Sequence, residues 1–218
     1  MRSLIEREGA DIQELDGEGN TPLHWAVYTP DSPRHLSVAQ YLLDSGANMD
    51  AGNQLEGQTP LMWACIAGNV PAVLLLKERG ADLHQEDQRG YNALQHAAQY
   101  NEALVCYYLI KRGGVSVDAT DHAGHTALHW ASYLGHENLT RLLVNCRASI
   151  NLQDIDGNTP LHWAATKGQE GAARILLELG ADSEVEDREG LIPSEAAERK
   201  GYFGLANRIW EQSSFYGY

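Results

Sequence analysis

The sequence predicts an all-α fold, a solenoid of stacked helix pairs joined by β-turn fingers. The prediction depends on a six-residue motif that first appears as Thr21-Pro22-Leu23-His24-Trp25-Ala26. The motif returns in altered form, beginning at Thr59, Asn92, Thr126, Thr159 and Ile192. Successive copies are 38, 33, 34, 33 and 33 residues apart. A helix pair of this length cannot bury its apolar face alone, so neighbouring pairs must stack.

The motif and its period resemble the ankyrin repeat. We therefore expect a single ankyrin-repeat domain over residues 1–218, with five full repeats in 19–190. Residues 1–18 are interpreted as a truncated first repeat, because Leu4 and Ile5 already fit a second helix. Residues 191–218 are interpreted as a short C-terminal capping repeat with an aromatic tail. Stacks of this kind present an extended concave groove and usually bind other proteins.

Each repeat has a predictable beginning. An Asp-x-x-Gly turn precedes the motif, in which the Asp can accept hydrogen bonds from turn amides and the Gly tolerates positive φ. The first residue of the motif then caps the first helix, and a Pro often occupies its first position, where a missing N–H costs nothing. These turns begin at Asp16, Asp87, Asp121, Asp154 and Asp187.

The ends of the helices are also predictable. We expect the first helices to end at a residue in the left-handed conformation. In the third repeat this residue is Asn101, and in four others it is a glycine: Gly68, Gly135, Gly168 and Gly201. The second helices should end at Gly9, Gly46, Gly80, Gly113 and Gly180. The fourth repeat has Arg147 at this place, which should cost about 1 kcal/mol if the site is left-handed.

Composition excludes several classes of function. A net charge of −14 argues against nucleic acid or anionic lipid as partners, since both need clustered Lys and Arg. The longest apolar run, residues 103–110, is too short to cross a bilayer, and the N-terminus lacks a secretory signal pattern. Cys65, Cys106 and Cys146 are read as reduced helix residues of a cytosolic protein. We expect a monomer without a metal ion or cofactor.

Aromatic residues mark the candidate site. The fifth residue of each motif lies about 200° around the helix from the core-facing Leu, so it should point into the groove. Tryptophans at repeat spacing are typical interface anchors. The predicted peptide-binding residues are Trp25, Trp63, His96, Trp130 and Trp163, with Tyr100 and Tyr133 one turn further on. Tyr28 occupies the same place as Tyr133. Alternatively, each Trp packs against the finger of a neighbouring repeat.

The order of these repeats carries a second resemblance. Two Trp-bearing repeats precede a repeat reading Ala-Leu-Gln-His-Ala-Ala-Gln-Tyr at 93–100, and two follow it; the first finger, 50–58, is long. This pattern is similar to the N-terminal ankyrin domain of DHHC-type palmitoyltransferases, of the Huntingtin-interacting and yeast Akr kind. The resemblance implies recruitment of substrates on the cytosolic face of the Golgi or another endomembrane. It also implies a following membrane domain that S-acylates cysteines. That domain is absent here, so this chain is not expected to be an enzyme.

The resemblance further implies a ligand. In animal members the groove binds a short, partly apolar peptide that ends in Gln-Pro, chiefly through a Trp that corresponds to Trp63. An Asn that assists there corresponds to Thr29, where this chain carries extra residues over 29–37, so the specificity of the peptide is open. The alternative function is a free-standing cytosolic ankyrin adaptor or inhibitor. Sequence downstream of residue 218 would distinguish the two.

One further cluster suggests a metal site by its spacing alone: His122, His125, His129 and His136. His129 is the motif histidine, which we expect to be hydrogen-bonded to the capping Thr and the turn backbone, so we predict no metal there. The sequence holds no phosphate-binding loop, nucleophile elbow or His-Cys dyad.

Overall fold

The computed structural model describes residues 11–30 and 33–215, with side chains through Glu211. These residues form twelve α-helices, and no β-strand occurs among them. The chain divides into two compact units, residues 1–115 and 116–218, which hold three helix pairs each. The predicted all-α fold of ankyrin-type helix pairs is confirmed. The predicted single domain over 1–218 stays a prediction.

The first unit consists of α1 to α6. Its first helices, α1, α3 and α5, pack against one another in sequence order, and the second helices α2, α4 and α6 pack behind them in the same order. A row of fully buried leucines, one or more per helix, forms its core. The helices are α1 (Pro22–Tyr28), α2 (Pro33–Asp44), α3 (Pro60–Ile66), α4 (Val70–Glu78), α5 (Ala93–Gln99) and α6 (Ala103–Lys111). The buried leucines are Leu23, Leu42, Leu61, Leu76, Leu94 and Leu109.

The second unit repeats this arrangement with α7 to α12. First helices α7, α9 and α11 again pack in order, and α8, α10 and α12 pack behind them. The helices are α7 (Ala127–Tyr133), α8 (Glu137–Asn145), α9 (Pro160–Thr166), α10 (Glu170–Glu178), α11 (Pro193–Arg199) and α12 (Phe203–Phe215). The core of this unit contains Leu128, Leu139, Leu143, Leu161 and Leu176, all fully buried.

The predicted helix ends are largely confirmed. Asn101 and Arg147, the two exceptions to glycine, both adopt the left-handed conformation, with φ of 62° and 72°. One prediction is wrong: in the third repeat the left-handed residue is Gly114, with φ of 75°, and not Gly113. Two residues lie between the end of α6 and Gly114, whereas one residue lies between the end of α4 and Gly80. The amide of Gly113 donates to the carbonyl of Tyr108.

The C-terminal repeat also differs from its prediction. It is not short, because its second helix, α12, has 13 residues. Phe203 and Trp210, which were assigned to an aromatic tail, lie within this helix and are exposed. The predictions for Leu4, Ile5 and Gly9, and for the end of the tail at 216–218, fall outside the described residues, as do residues 31–32 of the extra segment.

Candidate functional site

A motif histidine fixes the start of the first helix in three of the six repeats. In the fourth repeat, His129 Nδ1 lies 3.1 Å from the amide nitrogen of Thr126 and 2.9 Å from its hydroxyl. The other ring nitrogen, Nε2, lies 3.1 Å from the carbonyl oxygen of Asn158 in the next repeat. His24 and His162 make the same bonds to their own caps and to Gln58 and Leu191. The predicted role of His129 in capping is confirmed.

The finger aspartate does more than close its turn. Asp154 Oδ1 accepts the amides of Asp156 and Asn158, as expected of an Asp turn. Its second oxygen, Oδ2, accepts the indole N–H of Trp163 at 2.9 Å. Asp16 holds Trp25 in the same way, at 2.8 Å. Sequence reasoning missed this bond, although the constant spacing of nine residues between Asp and ring is visible in the sequence.

These bonds change what the tryptophans offer to a partner. The indole N–H of Trp63 is also bonded within its own repeat, to Gln58 Oε1 at 2.9 Å. Three of the predicted N–H donors, on Trp25, Trp63 and Trp163, are therefore already paired. The ring faces and edges remain for contact with a ligand, and the rings are held in fixed orientations.

Three aromatic side chains of the first unit meet around Trp63, and we call these four residues the Trp63 cluster. The ring centroids of Trp25, Tyr28 and His24 lie 5.1, 5.3 and 5.3 Å from that of Trp63, all edge to face. Trp25 is 49% exposed and Tyr28 is 44% exposed, whereas Trp63 is half-buried and His24 is buried. The predicted alternative placed each Trp against a finger, but Trp63 packs on the first helix of the preceding repeat.

The second unit contains a copy of this arrangement, the Trp163 cluster. Trp130, Tyr133 and His129 lie 5.3, 5.1 and 5.7 Å from Trp163, again edge to face. His125 is an additional member, with its ring centroid 4.5 Å from that of Trp163. Trp130, Tyr133 and Trp163 are half-buried. The structure therefore brings five of the seven predicted site residues together in two sets, one in each unit, whereas His96 and Tyr100 belong to neither set.

His125 binds the carboxylate that the fourth repeat would otherwise offer to its Trp. Its Nδ1 lies 2.8 Å from Asp121 Oδ2, and its Nε2 lies 3.7 Å from Asp154 Oδ2. Burial alone would raise the pKa of Asp121, but the hydrogen bonds from the side chain and amide of His125 lower it below its ordinary value. An ionised Asp121 thus holds the ring of His125 against Trp163.

The third repeat departs from the prediction. His96 was expected to face the groove, but it is buried, with 3% of its surface exposed. Its Nε2 lies 2.9 Å from Asp87 Oδ2, so the imidazole takes the place that the indole N–H has in other repeats. A smaller ring with the same bond reaches less far outward than an indole. Tyr100, at the end of α5, is 56% exposed and does present surface.

The described residues contain no group of three or more His, Cys, Asp or Glu side chains placed to hold a metal ion. Cys65, Cys106 and Cys146 are buried and form no disulfide. Within residues 11–30 and 33–215, no helix has the length and apolar character needed to cross a membrane.

Comparison with known proteins agrees with this geometry. A family model described as ankyrin repeats (3 copies) matches residues 32–121 and 105–187. The chain belongs to the ankyrin-repeat family. The putative palmitoyltransferase ZDHHC13 of Danio rerio is 32% identical over 152 residues, which make up 69% of this ankyrin chain and 22% of that protein. The palmitoyltransferase AKR1 of Lachancea kluyveri is 34% identical over 156 residues, 69% of this chain and 20% of its own length.

The predicted resemblance to palmitoyltransferases is thereby confirmed for this ankyrin chain, which spans about a fifth of the length of these two relatives. Similarity is not confined to them. The B-cell lymphoma 3 protein homolog of Mus musculus is 36% identical over 156 residues, covering 70% of this chain and 34% of the mouse protein. Repeats of this family act as protein-interaction modules.

Proposed function

We propose that this chain is a peptide-binding ankyrin module that recruits substrates to a membrane protein S-palmitoyltransferase and has no catalytic activity of its own. The Trp63 cluster is the observation that carries the proposal. Trp25 and Tyr28 expose nearly half of their surface beside the half-buried Trp63, and the Trp25 and Trp63 indole N–H groups are satisfied internally. Rigid aromatic faces of this kind are typical anchors for apolar peptide side chains.

The proposed site consists of Trp25, Trp63 and Tyr100 in the first unit and Trp130, Tyr133 and Trp163 in the second. His96 is buried and would not touch the peptide. Its proposed role is to hold the finger of the third repeat in place through its bond to Asp87. The similarity to the ankyrin-bearing palmitoyltransferases supports the recruiting role. The similarity to the B-cell lymphoma 3 homologue, a protein not named as a palmitoyltransferase, is the reason for a second candidate, a free-standing cytosolic adaptor or inhibitor.

The first test measures peptide binding. The probe is a fluorescently labelled, partly apolar peptide ending in Gln-Pro, compared with the same peptide ending in Ala-Ala. Burial of a Trp in the centre of an interface contributes roughly 2–4 kcal/mol, so Trp63→Ala should weaken binding about 30- to 1000-fold. Each edge-to-face pair also stabilises the fold by about 0.5–1.5 kcal/mol, and Trp63 makes three of them.

A second variant therefore separates binding from folding. Trp25→Ala removes a ring that is half exposed and makes one edge-to-face pair with Trp63, so it should keep the helix content of the wild type, destabilise the fold less than Trp63→Ala, and weaken peptide binding. Leu104→Ala, at a residue that is 66% exposed on α6, is the matched control. Unchanged affinity in folded Trp25→Ala and Trp63→Ala proteins would remove this cluster from the site.

The second test concerns the enzymatic context. The coding sequence downstream of residue 218 should encode two hydrophobic spans flanking a cysteine-rich loop with an Asp-His-His-Cys motif. A stop codon at that place would favour the adaptor or inhibitor. In either case, this chain incubated with acyl-CoA and a cysteine-containing peptide should give no transfer above the uncatalysed rate.

A further inference from the structure

An open hollow lies beside the Trp163 cluster in the second unit. It has a volume of about 450 Å³, and its walls include Tyr133, Trp163 and Tyr202. Lys167 and Lys200 also line it. The hollow thus combines flat aromatic surface with two ammonium groups, a combination that the aromatic motif alone does not predict.

The positive charge of this hollow is unusual for the chain. The whole chain has a net charge of −14 and only four lysines, and two of these lysines line this one hollow. Neither Lys167 nor Lys200 forms an ion pair within the described part of the chain. Both lysines are exposed. Their charges are therefore available to a ligand.

Two of the nearby carboxylates are already engaged, whereas Asp156 and Asp187 also line the adjoining hollow, where Asp187 accepts the amides of Glu189 and Leu191. Asp154 accepts two backbone amides through Oδ1 and the indole N–H of Trp163 through Oδ2. Glu189, in the adjoining hollow that Lys200 also lines, pairs with Arg199. The ammonium group of Lys167 lies 4.5 Å from the ring centroid of Tyr133, a cation–π distance that fixes the charge at the edge of the aromatic surface.

Tyr202 completes the hollow through a change specific to the last repeat. At the same place in earlier repeats, Asn69 and Gln169 donate side-chain hydrogen bonds to carbonyl groups at the end of the preceding first helix. Tyr202 instead lays its ring against Gly168, where an added Cβ would come within 2.5 Å of the ring. The missing side chain of Gly168 leaves room for this aromatic wall.

The first unit lacks these features at the corresponding places. Eight residues after the cap, Lys167 and Lys200 correspond to Ala67 and Tyr100. Ten residues after the cap, Tyr202 corresponds to Glu102. The two units therefore share their aromatic centres but differ in charge around them.

We propose that the hollow beside Trp163 binds a linear peptide segment that places an Asp or Glu side chain against Lys167 and Lys200. An adjacent apolar side chain of this peptide packs on the rings of Trp163 and Tyr202. The inference rests on the proposed function in taking the second unit as a peptide-binding surface, and it adds the chemistry of the ligand. Large polyanions such as nucleic acids do not fit, because two lysines on a strongly acidic chain cannot offset their charge.

The test is a selection from a bead-bound library of short random peptides, acetylated and amidated so that side chains carry their only carboxylates. The full chain should enrich peptides with Asp or Glu beside an apolar residue, and binding should weaken as salt is raised. Against a selected peptide, Lys167→Gln and Lys200→Gln should each lower the affinity by about 2- to 5-fold, as expected for an exposed ion pair. Lys77→Gln is the matched control, since Lys77 also lies over a tyrosine ring, 5.4 Å from that of Tyr108 in the first unit.

Four results of this selection would overturn the inference. Absence of acidic enrichment, or its persistence in the double variant Lys167→Gln/Lys200→Gln, overturns the inference and leaves the proposed function intact. Enrichment only when the library carries free C-terminal carboxylates also overturns it. If the chain enriches no peptides at all, the inference is overturned, and the Gln-Pro probe then decides whether the proposed function fails with it: binding of that probe keeps the proposed function, and its absence overturns both.

Discussion

The buried motif histidines should make this protein sensitive to mild acid, and His129 provides the sharpest test. Its Nδ1 faces the amide N–H of Thr126 and must accept, so the proton resides on Nε2, which donates to the carbonyl of Asn158. The ring is neutral in this arrangement. A second proton on Nδ1 would oppose the N–H of Thr126 and would place a positive charge in a buried site.

The magnitude follows from the pKa. Burial lowers the pKa of His129 from 6.5 to about 4. As the pH falls, the unfolded chain takes up this proton near 6.5, whereas the folded chain takes it up only near 4. The unfolded state therefore binds more protons than the folded state between these two values, and the protein becomes less stable as the pH decreases. At about 1.36 kcal/mol per pKa unit, the loss attributable to His129 is about 3 kcal/mol, complete below pH 4 and absent above 6.5.

The perturbation is His129→Gln, for which the chain contains its own precedent. In the third repeat Gln95 occupies the motif position, and its Oε1 accepts the amide of the capping Asn92 at 2.8 Å. The variant should therefore cost little near neutral pH. Urea unfolding followed by circular dichroism from pH 7.5 to 4 should show the wild type losing about 3 kcal/mol more than the variant.

The comparison isolates one group. The pKa values of His24 and His162 are also lowered, chiefly by burial, and those of Asp87 and Asp121 are lowered by hydrogen bonds that outweigh their burial. These contributions are present in both proteins and cancel in the difference. Parallel stability curves for wild type and variant would refute the reasoning, because they would mean that His129 titrates alike in the folded and unfolded states.

Two further predictions concern backbone conformation. Arg147 is held at φ of 72°, so Arg147→Gly should stabilise the second unit by about 1 kcal/mol in denaturant unfolding, and a lower midpoint would contradict the idea of strain there. Gly168→Ala should destabilise the protein by more than Gly180→Ala, since both sites have positive φ but only the former places its Cβ against Tyr202. Equal losses in the two variants would mean that the ring of Tyr202 moves away freely.

Much of the local structure could be predicted because each feature depends on neighbouring residues alone. The Asp turns, the capping residues and the left-handed Arg147 follow from the phase of the motif and from the conformational preferences of Asp, Thr and Gly. Gly114 could also have been predicted. The left-handed residue stands 12 positions before the cap at Gly80, Arg147 and Gly180, and the same spacing before Thr126 selects Gly114.

The orientation of the groove residues could not be derived in the same way. Helical periodicity places His96 and Trp25 at the same angle, yet one is buried and the other is half exposed. The difference depends on the length of the side chain that reaches the finger Asp, a contact nine residues away in sequence. Similarly, the hollow beside Trp163 depends on Tyr202, which belongs to the following repeat. Periodicity within one repeat contains no information on such neighbours.

Under the proposed function, the two aromatic clusters supply a common centre and the residues around them supply specificity. Their central geometry is nearly the same, with a Trp–Trp distance of 5.1 Å in one and 5.3 Å in the other. The N–H groups of Trp25, Trp63 and Trp163 are bonded within their own repeats, so these rings attract apolar groups without choosing between them. Discrimination must then come from the variable residues around the rings. At three aligned positions the first unit has Ala67, Tyr100 and Glu102, whereas the second has Lys167, Lys200 and Tyr202, so under the proposed function the two clusters should prefer chemically different peptides.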